Sequence, residues 1–207
     1  MKGRFVTLEG GEGVGKSTQA RRLAEALRAR GVNVVETREP GGSPGAEAIR
    51  SLLLQGDDER WTAPAEALLF AAARADHLAK TIKPALDAGQ WVVCDRFLDS
   101  SIAYQGGAGG LGAGTIRALH AIGSGGFLPD RTLLLELAAD DAAARANRRD
   151  AEGADRIGAR DAGYHADVAA AFAAIADEEP ARFRRVDAAG GAEEVTARLM
   201  SALEDLL

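Results

Sequence analysis

Apolar residues are distributed along this chain in short runs separated by longer stretches of helical spacing. Runs compact enough for strands fall at 5–8, 32–35, 91–94, 132–137 and, more weakly, 183–186. The stretches between and after them, at 17–30, 45–54, 64–88, 115–122, 139–148, 164–178 and 193–206, predict helices. Strands that lack a polar face and alternate with helices predict an α/β fold, a five-stranded parallel sheet with helices on both faces. With no internal repeat, low-complexity tract or Pro/Ser linker, the 207 residues read as a single domain. Two segments stand outside this pattern. Segment 106–114 is glycine-rich and reads as a loop. Segment 147–161 carries Arg148, Arg149, Arg156 and Arg160 among acids and glycines, and reads as an excursion between two helices.

The turn after the first strand changes the picture most. Gly10-Gly11-Glu12-Gly13-Val14-Gly15-Lys16-Ser17, followed by Thr18, fits G-x-x-x-x-G-K-[ST] and sits between a predicted strand and a predicted helix. The glycines let the backbone curl until successive N–H groups face one anion-sized hollow. The helix N-terminus beneath adds its positive dipole end. Lys16 is placed to reach the β- and γ-phosphates, and the Ser17 hydroxyl to ligate Mg²⁺. These residues predict a nucleoside-triphosphate site.

Composition narrows the class. Apolar residues make up 46% of the chain, much of it alanine, enough for a sizeable core rich in helix. The net charge of −6 argues against a general nucleic-acid or membrane-surface binder, so phosphate binding is expected to be local, built from a few converging arginines. The single cysteine, Cys94, lies in an apolar strand-like run and reads as filler. Met1-Lys2-Gly3-Arg4 leads straight into the first strand, and no apolar run approaches the roughly 18 residues of a membrane span. A soluble, cytoplasmic protein is expected.

In open α/β sheets, ligands sit beyond the carboxyl ends of the strands, where this chain places its polar clusters. After strand two comes Arg38-Glu39-Pro40-Gly41-Gly42; after strand three, Asp95-Arg96-Phe97 and Ser100-Ser101. Asp95 fits a carboxylate that holds Mg²⁺ directly or through water, and equally an N-cap for the next helix. Arg96 fits a phosphoryl contact or an Arg–Asp pair. Phe70 and Arg74 are four apart and share a helix face. They could stack on a nucleobase and donate to its edge, or be a core phenylalanine with a solvated arginine. The arginines of 147–161 fit either a solvated, charge-mixed loop or a closing lid that neutralises charge in phosphoryl transfer. None of the three histidines has metal-ligand spacing, and none is assigned chemistry.

Taken together, these motifs resemble the thymidylate kinase family over nearly the whole chain. The resemblance rests on Glu9-Gly10-Gly11-Glu12-Gly13, Thr37-Arg38-Glu39-Pro40-Gly41-Gly42, Leu69-Phe70-Ala71-Ala72-Ala73-Arg74 and the long string Asp95-Arg96-Phe97-Leu98-Asp99-Ser100-Ser101-Ile102-Ala103-Tyr104-Gln105-Gly106. It implies a P-loop kinase fold, commonly a homodimer, that phosphorylates dTMP to dTDP with ATP and Mg²⁺. By position it implies that Phe70 stacks on thymine and Arg74 contacts its carbonyl edge. Arg96 and Arg50 would hold the dTMP phosphate, and Glu12 would lie near the acceptor sugar and phosphate. Glu39 and Pro40 would line the sugar pocket, while Ser101, Tyr104 and Gln105 read the base and reject a ribose. The acidic phosphate loop is similar to that of the bacterial subtype, in which the lid supplies the catalytic arginine, here Arg149 or Arg156. Asp155-Arg156-Ile157 matches the lid signature, but Gly158 stands where the family usually has glutamate and Phe172 where tyrosine is frequent. The neighbouring reading is a kinase for another nucleoside monophosphate or for a deoxynucleoside, with Glu12 as base. A nucleotide switch is a reading from another class; the Asn/Thr-Lys-x-Asp string of guanine-reading switches is absent from the sequence.

Overall fold

In the computed structural model, residues 2–56, 60–149, 156–158 and 160–207 are described. Five parallel strands form one sheet: β1 (Phe5–Glu9), β2 (Val34–Arg38), β3 (Trp91–Asp95), β4 (Arg131–Glu136) and β5 (Phe183–Asp187), in the spatial order β2-β3-β1-β4-β5. The three inner strands are buried almost throughout, and alternate residues feed two separate cores. On one face Phe5, Val92, Cys94 and Leu134 pack together; on the other, Val6, Leu8, Trp91, Val93, Leu133 and Leu135.

The second face is covered by α1 (Lys16–Ala29) and α9 (Ala192–Ser201). The first takes α3 (Ala63–His77), α6 (Ala113–Ser124) and α8 (Ala162–Glu178). The remaining helices are α2 (Pro44–Leu54), α4 (Lys83–Asp87), the short α5 (Leu98–Ser101) and α7 (Ala139–Arg149). No described helix is long and apolar enough to cross a membrane.

Three departures from the sequence pattern have physical causes. Strand β2 begins at Val34 and runs on to Arg38, because an edge strand exposes alternate residues and tolerates Glu36 and Arg38. The helix expected at 64–88 is interrupted by a π-helical turn at Leu78–Ile82, just ahead of Pro84, which has no N–H to continue an α-helical ladder. The glycine-rich loop expected at 106–114 is partly helical. A second π-helical segment, Ile102–Ala108, runs through it, and α6 starts at Ala113. A Cβ on Gly107 would stand 2.8 Å from Ala171 of α8, so the glycine lets that helix pack close.

β1 is central, and from β3 to β4 the chain crosses to its other side. The crevice at that change of direction opens beyond the carboxyl ends of β1 and β3.

Candidate active site

The loop between β1 and α1 is shaped by two backbone positions. Gly15 takes the left-handed conformation at the helix N-cap (φ 95°), and Gly13 (φ 75°) passes so close to α7 that a Cβ would collide with the Ala142 carbonyl. Within this loop Lys16 Nζ donates to the Gly11 carbonyl at 2.5 Å. Burial, with the neighbouring Arg96 charge, lowers the Lys16 pKa to about 8 against the opposing pull of Glu12, Asp95 and Glu9. Val14 turns away from the cleft into the α1-side core, whereas Gly13, Gly15, Lys16, Ser17 and Thr18 line it.

Asp95 ends β3 and is no N-cap; that position at α5 belongs to Phe97. The Ser17 hydroxyl donates to Asp95 Oδ2 at 2.5 Å, while the buried Oδ1 has no hydrogen-bond partner among the described residues. A carboxylate oxygen left unpaired beside a hydroxyl fits a hard, oxygen-seeking cation held by few protein ligands, as Mg²⁺ is.

Arg96 follows in a strained left-handed conformation (φ 69°), rare for a residue with a side chain. Its guanidinium is held from several sides: it ion-pairs with Glu12 and donates to Tyr104 Oη at 3.1 Å, Ser100 Oγ at 3.1 Å and the Gly10 carbonyl at 3.3 Å. Tyr104 Oη in turn donates to Glu12 at 3.2 Å. Burial works against the Arg96 charge, but Tyr104, Glu12, Asp95 and Glu9 more than offset it and raise its pKa. Under this cluster lies Glu9, fully buried, accepting from the Phe97 N–H at 2.8 Å and the Ser100 hydroxyl at 2.6 Å. Burial and the nearby Asp99 push its pKa up to about 7.

The far end of the cleft is built on α2, α3 and the π-helical segment. Phe70 and Arg74 stand on the same face of α3, as their spacing predicts. Arg74 is only 3% exposed, which overturns the solvated alternative. Its Nε donates to Glu39 at 2.8 Å, and its Nη2 to Ser101 Oγ at 2.7 Å and the Phe97 carbonyl at 3.1 Å. Glu39, joined to Pro40 by a cis peptide, also meets His77 Nδ1 at 3.1 Å. Arg50 of α2 reaches the Pro40 carbonyl at 2.7 Å, and Gln105 donates to Glu66 at 3.0 Å. All of these except Glu66 and His77 line one cleft of about 450 Å³ with the phosphate-loop residues, Asp95, Arg96 and Tyr104. Arg96 bonds both to Glu12 and Gly10 of the phosphate loop and to Ser100 and Tyr104 of the segment that follows β3.

A family model for thymidylate kinase matches residues 8–199 of the chain. The chain belongs to the thymidylate kinase family. A thymidylate kinase of Rhizorhabdus wittichii is 67% identical over 207 residues, covering all of both chains. One of Gluconobacter oxydans is 52% identical over 211 residues, covering all of this chain and 96% of the other. A crystal structure of thymidylate kinase from Ehrlichia chaffeensis superposes with a TM-score of 0.78 at 31% identity, over 99% of this chain and all of that one. Membership places the chain among the nucleoside monophosphate kinases, which are transferases; the family reaction is phosphoryl transfer from ATP to dTMP.

Against this thymidylate kinase framework, four side chains had no role assigned from the sequence. His77 braces Glu39 from behind, with its other ring nitrogen 2.7 Å from Thr37 Oγ1. Arg145 of α7 lines the cleft near the phosphate loop and donates to the Ala188 carbonyl at 3.2 Å. Glu9 supports Phe97 and Ser100, and Glu66 gathers Gln105, Arg156 and Arg160. Of the lid expected at 147–161, residues 150–155 and 159 and the Arg149 side chain lie outside the described residues. Arg156 is buried against Glu66 and is not part of the cleft wall.

Proposed function

We propose that the cleft takes ATP at its phosphate-loop end and dTMP at its Phe70 end, and that the chain works as one domain. The observation that carries this is the continuity of the cleft, with Lys16 and Ser17 at one end, Phe70 and Arg74 at the other, and Arg96 bonded to the phosphate loop and to the segment that follows β3. The backbone of Gly10, Gly11, Glu12, Gly13, Val14 and Gly15 cradles the ATP phosphates, with Lys16 neutralising the β- and γ-oxygens. Ser17 and Asp95 would hold Mg²⁺, which when bound supplies further neutralisation of the triphosphate.

At the other end Phe70 stacks on the base, and Arg74, fixed by Glu39 and Ser101, presents its guanidinium to the carbonyl edge. Pro40, Tyr104 and Gln105 shape the wall around sugar and base. Arg96 and Arg50 hold the acceptor phosphate. Glu12 and Tyr104 keep the Arg96 fork aimed at the junction of the two substrates.

An oxygen of the dTMP phosphate attacks the γ-phosphorus, the bond to the β,γ-bridging oxygen breaks, and ADP leaves with the electron pair. The nucleophile is already anionic, so no general base is required. Catalysis is alignment together with neutralisation of charge on the transferred oxygens by Lys16, Arg96 and an arginine from 147–161; of Arg149 and Arg156, the commitment of Arg156 to Glu66 favours Arg149. The protein is proposed to be a cytoplasmic homodimer. Exposed Leu68 and Ile122, on the mutually packed α3 and α6, support the dimer.

Lys16→Ala tests the assignment of the two ends. The variant should fold with a Tm at or above that of the parent and keep its dTMP affinity while losing turnover. A near-normal kcat, or loss of dTMP binding together with ATP binding, would contradict it.

A further inference from the structure

Glu66 sits one helical turn before Phe70 on α3, is 3% exposed, and is not part of the cleft wall. Its two carboxylate oxygens serve different elements. Oε1 accepts from Gln105 Nε2 at 3.0 Å, and Gln105 lines the cleft. Oε2 takes the Arg156 guanidinium and, at 3.0 Å, that of Arg160. Arg156 is further pinned by Nε donating to the Leu53 carbonyl at 3.0 Å. Arg160 reaches Tyr164 Oη, which donates to the Tyr104 carbonyl at 3.1 Å.

Between these two arginines stands Ile157. It is 8% exposed, shares an apolar cluster with Phe70 and Leu54, and joins them on the cleft wall. Arg156 and Arg160, on either side of Ile157, are both tied to Glu66, and Arg156 also to the Leu53 carbonyl of α2, so these contacts hold Ile157 opposite α2 and α3.

We propose that Ile157 is a base-contacting wall of the acceptor pocket, and that Glu66 is the positioning residue that seats it. Arg156 acts here as a strut: its charge is spent on Glu66 while the adjacent isoleucine closes the apolar side of the pocket beside Phe70. The same carboxylate orients the Gln105 amide, so the polar and apolar walls of the acceptor pocket are set by one residue. This rests on the reading that Phe70 marks the base end of the cleft.

The test is calorimetric binding of dTMP and, separately, of ATP to the full-length protein and to Glu66→Gln, Ile157→Ala, the double variant and Phe70→Ala. Each of the first two single variants should weaken dTMP about tenfold and leave ATP within about twofold. The double variant should be weaker than Ile157→Ala alone, but by less than the loss in Glu66→Gln, since Glu66 acts partly through Ile157 and partly through Gln105. Unchanged dTMP affinity in Ile157→Ala, which leaves every ion pair in place, overturns the proposal whether or not Glu66→Gln folds. Fully additive losses, or equal losses for ATP, also overturn it. Unchanged dTMP affinity in Phe70→Ala would instead remove the base from that end of the cleft, a failure of the underlying reading that is separately visible.

Discussion

Lys16 is held in the cleft under conditions that oppose its charge, and a triphosphate would reverse them. Burial and the Arg96 guanidinium bring its pKa from 10.5 to about 8. The sign follows from linkage. A depressed folded-state pKa means that this group's contribution to stability is fully present only above 10.5 and is lost as pH falls through about 8. Near neutral pH the free protein carries a charged lysine at a cost of about 3 kcal/mol, the shift of about 2.5 units converted at ~1.36 kcal/mol per unit. Phosphate oxygens around Nζ restore the favourable partner, so ATP binding raises the pKa and draws in a proton wherever Lys16 was partly neutral. At pH 8 the uptake should be about half a proton per ATP, at pH 6.5 close to none. Affinity for ATP should fall about twofold at pH 8 and about tenfold at pH 9 relative to pH 6.5, as the neutral fraction grows. Titration calorimetry with ATP and no acceptor, in buffers of different ionisation enthalpy, reads the proton directly. ATP binding with no proton uptake from pH 8 to 9 would refute the placement of Lys16 against the phosphates.

Three further outcomes follow from the same geometry. Glu9, raised to about 7 by burial and Asp99, contributes stability that is present below 4.5 and lost as pH rises through 7. The stability difference between Glu9→Gln and the parent protein in denaturant melts should therefore shift by about 3 kcal/mol between pH 4.5 and 8, and a pH-independent difference would contradict this. Arg74→Met leaves Glu39 buried with only His77 beside it among the described residues, and should cost about 3–5 kcal/mol in urea unfolding, partly recovered in Glu39→Gln/Arg74→Met; a loss below about 1 kcal/mol would contradict the buried pair. Asp95→Asn should raise the Mg²⁺ concentration for half-maximal turnover by about tenfold or more, and an unchanged requirement would remove Asp95 from the metal site.

What could be read directly from sequence was what is determined locally. The phosphate loop is a matter of glycine spacing between one strand and one helix. β1 and β3 announce themselves because residues such as Val6, Val92 and Val93 are buried on both faces. Edge strands β2 and β5 expose alternate residues, so Glu36, Arg38 and Arg185 blur their ends. The π-helical segment around Gly106 was hidden because glycines that admit a neighbouring helix look like glycines of a loop.

The site divides in the same way. Phe70 and Arg74 are visible as a pair four residues apart, but the burial of Arg74 depends on Glu39 and Ser101, 35 and 27 residues distant. Glu66 and His77 looked like ordinary helix residues, because their partners lie on other elements. Arg145 likewise belongs to a charged helix whose orientation over the phosphate loop is a tertiary fact.

The central claim is that dTMP is the acceptor in this cleft. The most direct measurement is ADP release from ATP and Mg²⁺ across dTMP, dUMP, UMP, CMP, dCMP, AMP, GMP and thymidine. Strong stimulation by dTMP, weaker by dUMP and absent with the others, is the result predicted. Stimulation by thymidine or another monophosphate in place of dTMP, or by none of them, would contradict it.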